Sequence, residues 1–451
     1  MAEIIAKDYR LDISNKRILS IVLPISLAII VPQLNFITNN IFLGRLGEQT
    51  LSVAGITGVY YLIFAVIGIG LSNGLQMLFA RRAGENKIEA IGFLFDHGKK
   101  LAFVFAAFGI AVTWLIAPIF FNYALSDASN AQLAIDFLHI RIWGLFFLFQ
   151  FQIRNALLVG TNHAKYLIFG TAIEATSNVF FDYTLIFGNL GFPDLGFNGA
   201  AYASILAEAL AFITVWQIIR FKKIKQQLQF QAEQLWDKAV AKIIFKQSAP
   251  LIAQHLLSIM AWEFFFVLSE HHGNQAGAIS NIMRNVFGVF GCVTWAFAAT
   301  TNTMVSNVIG QGLQDKVFIL INKILKLSFT FSISICILIN IFPELYLSVY
   351  GQTEAFNTAA IPVLRVVTLA LLLMSFSVVW LNAVIGTGNT NITLRIEFLA
   401  ITLYCTYVYI VLEKLNLSIT IGWMAELVYW GSLLIPAFIY MKSNKWKNRK
   451  I

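Results

Sequence analysis

Residues 18–47 read ILSIVLPISLAIIVPQLNFITNNIFLGRLG, an apolar run that ends in a short polar turn. Residues 244–273 read IFKQSAPLIAQHLLSIMAWEFFFVLSEHHG, and Pro250 stands there where Pro24 stands in the first stretch. A bilayer requires ~20 predominantly apolar residues for each helix that crosses it, so both stretches predict membrane-spanning helices. The matched prolines predict a chain built from two related halves.

The composition of the whole chain is that of a membrane protein. Apolar residues make up 58% of the 451 positions and charged residues only 12%, too few to cover a water-soluble globule. Within lipid, every backbone N–H and C=O must be paired inside its own segment, and long apolar runs achieve this as α-helices. Twelve spans are predicted, and they begin near Ile18, Leu51, Leu101, Phe137, Leu167, Phe197, Ile243, Ala278, Ile321, Ala360, Leu394 and Ser418.

Further residues recur in the second half at nearly the spacing of the two prolines. The recurring pairs are Gly47 and Gly273, Pro118 and Pro343, Arg141 and Arg365, and Glu174 and Glu397. The repeat predicts an all-α polytopic membrane protein with twelve transmembrane helices in two pseudo-symmetric six-helix bundles. We expect an N-terminal lobe over residues 1–219, a cytoplasmic linker over 220–242 and a C-terminal lobe over 243–451. Because six is even, both halves enter the membrane from the same side, as in parallel-repeat transporters.

The distribution of positive charge predicts the orientation of the chain. Of the 32 Lys and Arg residues, 26 fall in the tails and after even-numbered spans, four lie within or at the edge of spans, and only Arg45 and Lys414 follow odd-numbered spans. By the positive-inside rule both termini are cytoplasmic, in a multi-pass protein of the cell inner (plasma) membrane. The net charge of +9 then lies beside lipid headgroups, so the lipid bilayer is the expected partner and nucleic acid is not.

The sequence offers no motif for nucleotide hydrolysis. No G-x-x-x-x-G-K-[ST] loop occurs, and the six His and three Cys residues show no metal-ligand spacing. We therefore expect no enzyme activity, no metal site and no cofactor. An ion gradient is the simplest energy source for transport.

Three polar residues form a stripe in the fifth span. Glu174, Asn178 and Asp182 are four residues apart and share one face of a helix. A charge at the bilayer centre costs ~2.5 to 3.5 kcal/mol on insertion scales, which function or a partner must offset. A carboxylate beside amide oxygens can bind Na⁺, or can carry a proton because an apolar environment favours the neutral carboxyl group. The stripe, with Asn39 of the first span, predicts an ion-coupling site; a structural hydrogen-bond network is the alternative.

The second half contains a possible polar site of its own. Glu263 and Arg284 fall in neighbouring spans, and Glu397 is expected close by. A structural salt bridge between Glu263 and Arg284 is the alternative, since breaking a buried pair leaves an uncompensated charge. Arg141 and Arg365, at the outer ends of equivalent spans, are interpreted as interfacial anchors without a transport role.

Pro24 lies inside the first span. Proline removes a backbone donor and its ring clashes with the preceding turn, so it bends helices. We interpret Pro24 as a gating bend of the N-terminal lobe, with passive accommodation of the proline as the alternative.

Several short motifs occur in a fixed order along the chain. They are Leu23-Pro24, Gly44-Arg45-Leu46-Gly47, Arg81-Arg82-Ala83-Gly84-Glu85, Gly160-Thr161, Leu185-Ile186-Phe187-Gly188, and Leu195-Gly196 with Gly199-Ala200-Ala201. Because these motifs occur in this order and at this spacing, the chain resembles the multidrug and toxic compound extrusion (MATE) family over essentially its whole length. The resemblance implies a V-shaped cleft between two six-helix bundles. It also implies antiport of Na⁺ or H⁺ against amphipathic, often cationic, organic compounds by alternating access.

The resemblance also assigns residues to the coupling site. Many members carry an Asp in the first span where this sequence has Asn39, while Asn178, Asp182 and Asn155 match other coupling positions of the N-terminal lobe. Because an amide carries no charge, the resemblance then implies that Asp182 is the principal coupling carboxylate, assisted by Glu174. A small-molecule substrate and a monomeric transporter are expected.

Two other functions are compatible with the same architecture. A flippase for lipid-linked saccharides would call for several cationic side chains in the cleft, for which only Arg154 and Arg284 are candidates. A passive channel is the second alternative, and the buried acids of both halves favour a transporter over it.

Overall fold

The structure, a computed structural model, describes residues 8–125, 127–230, 235–351 and 353–449. Within these ranges the chain forms helices and turns and no strand. The long helices, numbered in chain order, are α1 (Asn15–Gly44), α2 (Glu48–Gly84), α3 (Ile88–Ala124), α4 (Ala128–Arg141 with Gly144–Gly160), α5 (Leu167–Phe187), α6 (Gly196–Phe221), α7 (Lys238–Glu270), α8 (Asn274–Gly310), α9 (Val317–Ile341), α10 (Glu354–Gly386), α11 (Thr390–Val408) and α12 (Ile419–Trp423 with Ala425–Lys442). Each predicted span corresponds to one of these helices, which confirms the predicted fold class.

The helices differ in how apolar they are. Among the described residues, ten helices are long and apolar enough to cross a membrane, and the two segments of α4, bent by 47°, would make an eleventh. The remaining helix, α5, is 21 residues long and carries Glu174, Asn178 and Asp182, which lower its hydropathy. The least apolar span is therefore the one that carries the predicted site.

The chain divides into two compact units. One unit contains Leu27–Ile252, and the other contains Arg10–Ser26 together with the residues from Ala253 onward. Both α1 and α7 therefore divide between units. The predicted lobes, 1–219 and 243–451, stay a prediction, and residues 231–234 of the predicted linker lie outside the described ranges.

Close packing in the first unit fixes α6 against α5. Leu195 donates its backbone N–H to the carbonyl oxygen of Leu185 at 3.0 Å. At Gly199 any Cβ would collide with the same carbonyl group, so only glycine permits this approach. Ile186 and Phe197 share a buried apolar cluster beside this crossing. The carboxyl end of α5, which carries Asp182, is thereby held in place.

The second unit includes the segment that leads into α1. Leu11 donates its backbone N–H to Oδ1 of Asn307 at 2.9 Å and accepts a bond from Nε2 of Gln311 at 2.9 Å. Lys323 donates to the carbonyl oxygen of Ile13 at 3.2 Å. These bonds dock the beginning of the described chain onto α8 and α9.

Candidate functional site

Asp182 is the most completely buried of the predicted site residues. Its side chain is 0% exposed, and neither carboxylate oxygen has a hydrogen-bond partner among the described residues. Buried carboxylates ordinarily accept several hydrogen bonds or face a cationic side chain, because a bare charge in an apolar interior is costly. A carboxyl group in this setting has to be neutralised by a proton or by a bound cation.

The predicted stripe on α5 is present. Asn178 lies one turn before Asp182 and is 4% exposed, and Glu174 lies one turn further back and is partly buried. Glu174 is close enough to Arg141 and Glu208 to interact with both electrostatically. The stripe thus joins a lone carboxylate at one end to a charged cluster at the other.

Asn39 on α1 and Asn155 on α4 contribute amide oxygens to the same unit. Oδ1 of each residue is buried and accepts no hydrogen bond within the part of the chain that the structure describes. Amide and carboxylate oxygens are ligands for hard cations such as Na⁺. Three of the predicted positions therefore offer buried oxygens without a donor, although no hydrogen bond joins Asn39 or Asn155 to Asp182.

An ion pair that sequence reasoning missed lies in this unit. Nη1 of Arg141 donates to Oε2 of Glu208 at 3.0 Å, and Nη2 of Arg141 donates to Oε1 of Glu208. The Tyr61 hydroxyl donates to Oε1 of Glu208 at 3.1 Å, and the guanidinium lies 3.7 Å from the centre of the Tyr61 ring. Arg141 is thus part of a buried network. The interpretation of Arg141 as an interfacial anchor is wrong, because Glu208 supplies a counter-charge from α6.

The predicted polar site of the second unit separates into two parts. Arg284 and Glu263 form the expected ion pair, with Nη2 and Oε1 3.2 Å apart. Glu397, 1% exposed, instead accepts hydrogen bonds from Gln254 at 3.1 Å, from Ser258 at 2.7 Å and from the Tyr429 hydroxyl. Among the described residues no hydrogen bond or ion pair joins Glu397 to Glu263 or Arg284, so the three do not form one hydrogen-bonded cluster.

A second carboxylate of this unit was not predicted as a site residue. Glu426 on α12 is 5% exposed and accepts bonds from the Trp430 indole at 3.0 Å and the Tyr404 hydroxyl at 3.4 Å. Its burial in a span was visible in the sequence, but its aromatic partners depend on how α11 and α12 face each other. No group of three or more His, Cys, Asp or Glu side chains suited to a metal occurs in the described ranges.

Comparison with known proteins agrees with the sequence motifs. The family model described as MatE matches residues 24–184 and again residues 250–410, together more than half of the chain. A probable multidrug resistance protein NorM of Thermotoga maritima is 23% identical over 445 residues, which cover 97% of this chain and 94% of that protein. A NorM of Rhizobium meliloti is 29% identical over 185 residues, which cover 41% and 39%.

Solved structures share the fold. The crystal structure of MATE in complex with MaL6 superposes with a TM-score of 0.89 at 18% identity, covering 97% of this chain and 98% of that one. An outward-facing MATE family transporter of the MOP superfamily gives a TM-score of 0.87 at 18% identity, covering 97% of both chains. The match of the family model to both halves of the chain defines a polytopic membrane transporter, and its described residues form twelve long helices. The chain belongs to the MatE family, and it is an efflux transporter and not an enzyme.

Proposed function

We propose that the protein exports amphipathic, often cationic, organic compounds in exchange for Na⁺ or H⁺ by alternating access. The observation that carries the proposal is the fully buried carboxylate of Asp182, whose two oxygens have no partner among the described residues. The Thermotoga maritima and Rhizobium meliloti relatives are named as probable multidrug resistance proteins, which supports a broad class of small organic substrates.

Asp182 is the proposed coupling carboxylate. Asn178, Asn39 and Asn155 would supply neutral oxygens, and Glu174 would adjust the local field. An ionised Asp182 enclosed in an apolar bundle is unfavourable, whereas the same group with a proton or Na⁺ is neutral. Ion binding therefore shifts the equilibrium between conformations, because the bound ion stabilises the closed form of the site more than the open form. Pro24 would provide the bend in α1 that accompanies this change.

Efflux from proteoliposomes tests the proposal. A cationic dye is loaded inside, and a Na⁺ gradient and a H⁺ gradient are imposed separately. We expect wild-type efflux under one of the gradients and a fall to the level of protein-free liposomes for Asp182→Asn. The matched control is Asp136→Asn, which removes an exposed carboxylate of α4 from the same unit. Wild-type efflux by Asp182→Asn under either gradient contradicts the assignment.

The proposed topology places both termini and the linker on the cytoplasmic side of the inner membrane, in a monomer. Gln227, in the short helix Ile224–Gln227 after α6, is a suitable reporter position. A cysteine introduced there should resist an impermeant thiol reagent added to intact cells and react after the cells are opened. Labelling in intact cells would reverse the orientation.

A further inference from the structure

Arg154 on α4 is a buried cation without an acidic partner. It is 7% exposed, and across the described ranges no Asp or Glu side chain forms an ion pair with it. Arg141, at the other end of α4, is balanced by the two bonds that it donates to Glu208. Buried charges in proteins are paired or bind ions, because an isolated charge in an apolar interior is costly. Arg154 therefore calls for an anion that the described chain does not supply.

The Arg154 guanidinium has one end bonded and one edge free. Nη1 donates to the carbonyl oxygen of Gln150 at 2.7 Å and to Oε1 of Gln150 at 2.9 Å. Nε and Nη2 have no acceptor among the described residues, and both retain some accessible surface. A guanidinium holds its donors in a rigid planar fork that can bond to two oxygens of one phosphate or carboxylate. The free Nε–Nη2 edge is therefore suited to a bidentate anion.

Aromatic rings from two neighbouring helices position the guanidinium. It lies 4.5 Å from the ring centre of Phe212 on α6 and 5.8 Å from that of Phe95 on α3. Such stacking stabilises a cation without neutralising it. Nζ of Lys99 lies 5.3 Å from the same Phe95 ring and forms an ion pair with Asp96. Arg154 is thus fixed beside both α3 and α6, with a second cationic side chain nearby.

Exposed apolar side chains on α3 and α6 border this position. Of the ten candidate spans among the described residues, α3 has the smallest buried share, at 22%. Phe103, one turn beyond Lys99, is 55% exposed, and Trp216, one turn beyond Phe212, is 39% exposed. Large apolar side chains on the outside of a membrane span are solvated by lipid. The surface next to Arg154 therefore faces the bilayer.

Arg154 lies near one end of its span, close to the lipid headgroups. It precedes the end of α4 at Gly160 by about 9 Å, at ~1.5 Å per residue. Gln150 donates to the carbonyl oxygen of Lys99 at 2.9 Å, which places this turn of α4 beside the beginning of the third predicted span. Arg220, in the last turn of α6, adds a cation at the same end. In the proposed topology this end is the cytoplasmic one.

We propose that Arg154 binds the phosphate group of one anionic phospholipid of the cytoplasmic leaflet. In this Arg154 site, Nε and Nη2 donate to two phosphate oxygens, and the acyl chains lie against the exposed aromatic side chains of α3 and α6. The phosphate balances the buried charge and links α3, α4 and α6 through one lipid. Lys99 and Arg220 favour a headgroup with net negative charge over a zwitterionic one. The site is independent of the proposed transport function, because binding is measured without transport.

Lipid binding to the purified full-length protein in detergent tests the proposal. Native mass spectrometry counts the bound molecules of dioleoylphosphatidylglycerol as this lipid is titrated, with dioleoylphosphatidylcholine as the zwitterionic comparison. We expect one tightly bound phosphatidylglycerol on the wild type, with affinity weakened about 10-fold or more by Arg154→Gln. Arg154→Lys, which keeps the charge and removes the fork, should also weaken binding. Arg395→Gln, which removes an exposed arginine near the beginning of α11, is the matched control and should bind as the wild type does.

Four results would overturn the proposal. The first is equal affinity of the wild type and Arg154→Gln for phosphatidylglycerol. The second is equal weakening by Arg395→Gln, because the effect then belongs to positive charge in general. The third is displacement of the lipid by inorganic phosphate, or equal retention of phosphatidylcholine, since the site then does not select an anionic lipid. The fourth applies if Arg154→Gln does not fold, and is wild-type affinity in Arg154→Lys.

Discussion

Each unit contains an ion pair between an arginine and a glutamate on different helices, and the two pairs differ in burial. In the first unit the side chains of Arg141 and Glu208 are 12% and 7% exposed, and the guanidinium makes two bonds to the carboxylate. In the second unit the side chains of Arg284 and Glu263 are 34% and 28% exposed, and one bond joins them. The same two residue types therefore form a buried, doubly hydrogen-bonded ion pair in one unit and a partly solvent-exposed ion pair in the other.

The difference follows from the surroundings of each arginine. The Arg141 guanidinium stacks on the Tyr61 ring, and the Tyr61 hydroxyl also donates to Glu208. Each of the three side chains therefore contacts the other two. Arg284 lies 4.9 Å from the Trp262 ring centre, and Trp262 makes no such second bond to Glu263 in the described structure. Breaking the Arg141–Glu208 pair leaves an uncompensated charge that is shielded from water. Breaking the Arg284–Glu263 pair leaves both groups partly hydrated.

The largest expected effect comes from Arg141→Gln. Removing the cation leaves Glu208 buried and uncompensated, which costs about 3 to 5 kcal/mol of unfolding free energy. Reversible unfolding of the purified protein in a denaturing detergent measures the loss. The double variant Arg141→Gln with Glu208→Gln should recover most of it, because no charge then remains. Equal destabilisation of the single and double variants would mean that packing, and not charge, is what Arg141 supplies.

A smaller effect is expected from Gly144→Ala. An added Cβ at Gly144 would collide with Oε2 of Glu208 and with Nη1 of Arg141, so these two side-chain ends must shift within their buried surroundings. Overpacking of a buried site costs about 1 to 3 kcal/mol, and the same unfolding measurement detects it. Gly291→Ala in α8 is the control, because its Cβ would meet only Trp295 at an ordinary 3.5 Å. A Gly144→Ala protein as stable as the Gly291→Ala protein would show that the buried pair tolerates displacement.

The twelve helices could be predicted from the sequence because each appears there as a continuous run of predominantly apolar residues. The sequence also predicted the stripe of Glu174, Asn178 and Asp182, since residues four apart on a helix share a face whatever surrounds it. The pair of Glu263 and Arg284 could be predicted because the two residues lie in consecutive helices. For the helices, the stripe and this ion pair, the spacing of residues within one helix or two consecutive helices was sufficient for the prediction.

Partners from distant helices could not be predicted in the same way. Arg141 and Glu208 are 67 residues apart, and whether they meet depends on the rotation of α4 and α6 about their axes. The donors to Glu397 come from α7 and α12, at separations of 143, 139 and 32 residues. A repeat fixes which helices correspond, but it does not fix which polar side chains replace one another. The two units consequently differ in their buried polar contacts.

The smallest expected effect is that of Arg284→Gln. Its pair with Glu263 is about one-third exposed, so water replaces the lost interaction and the cost should be roughly 0 to 1 kcal/mol. The same unfolding measurement at low and high salt checks this, because added salt should shrink the difference from the wild type further. A loss as large as that of Arg141→Gln, independent of salt, would break the comparison by showing that both pairs are effectively buried. A third result would sharpen it: unchanged stability with abolished dye efflux would make Arg284 part of the transport pathway, since structural support would then be excluded as its role.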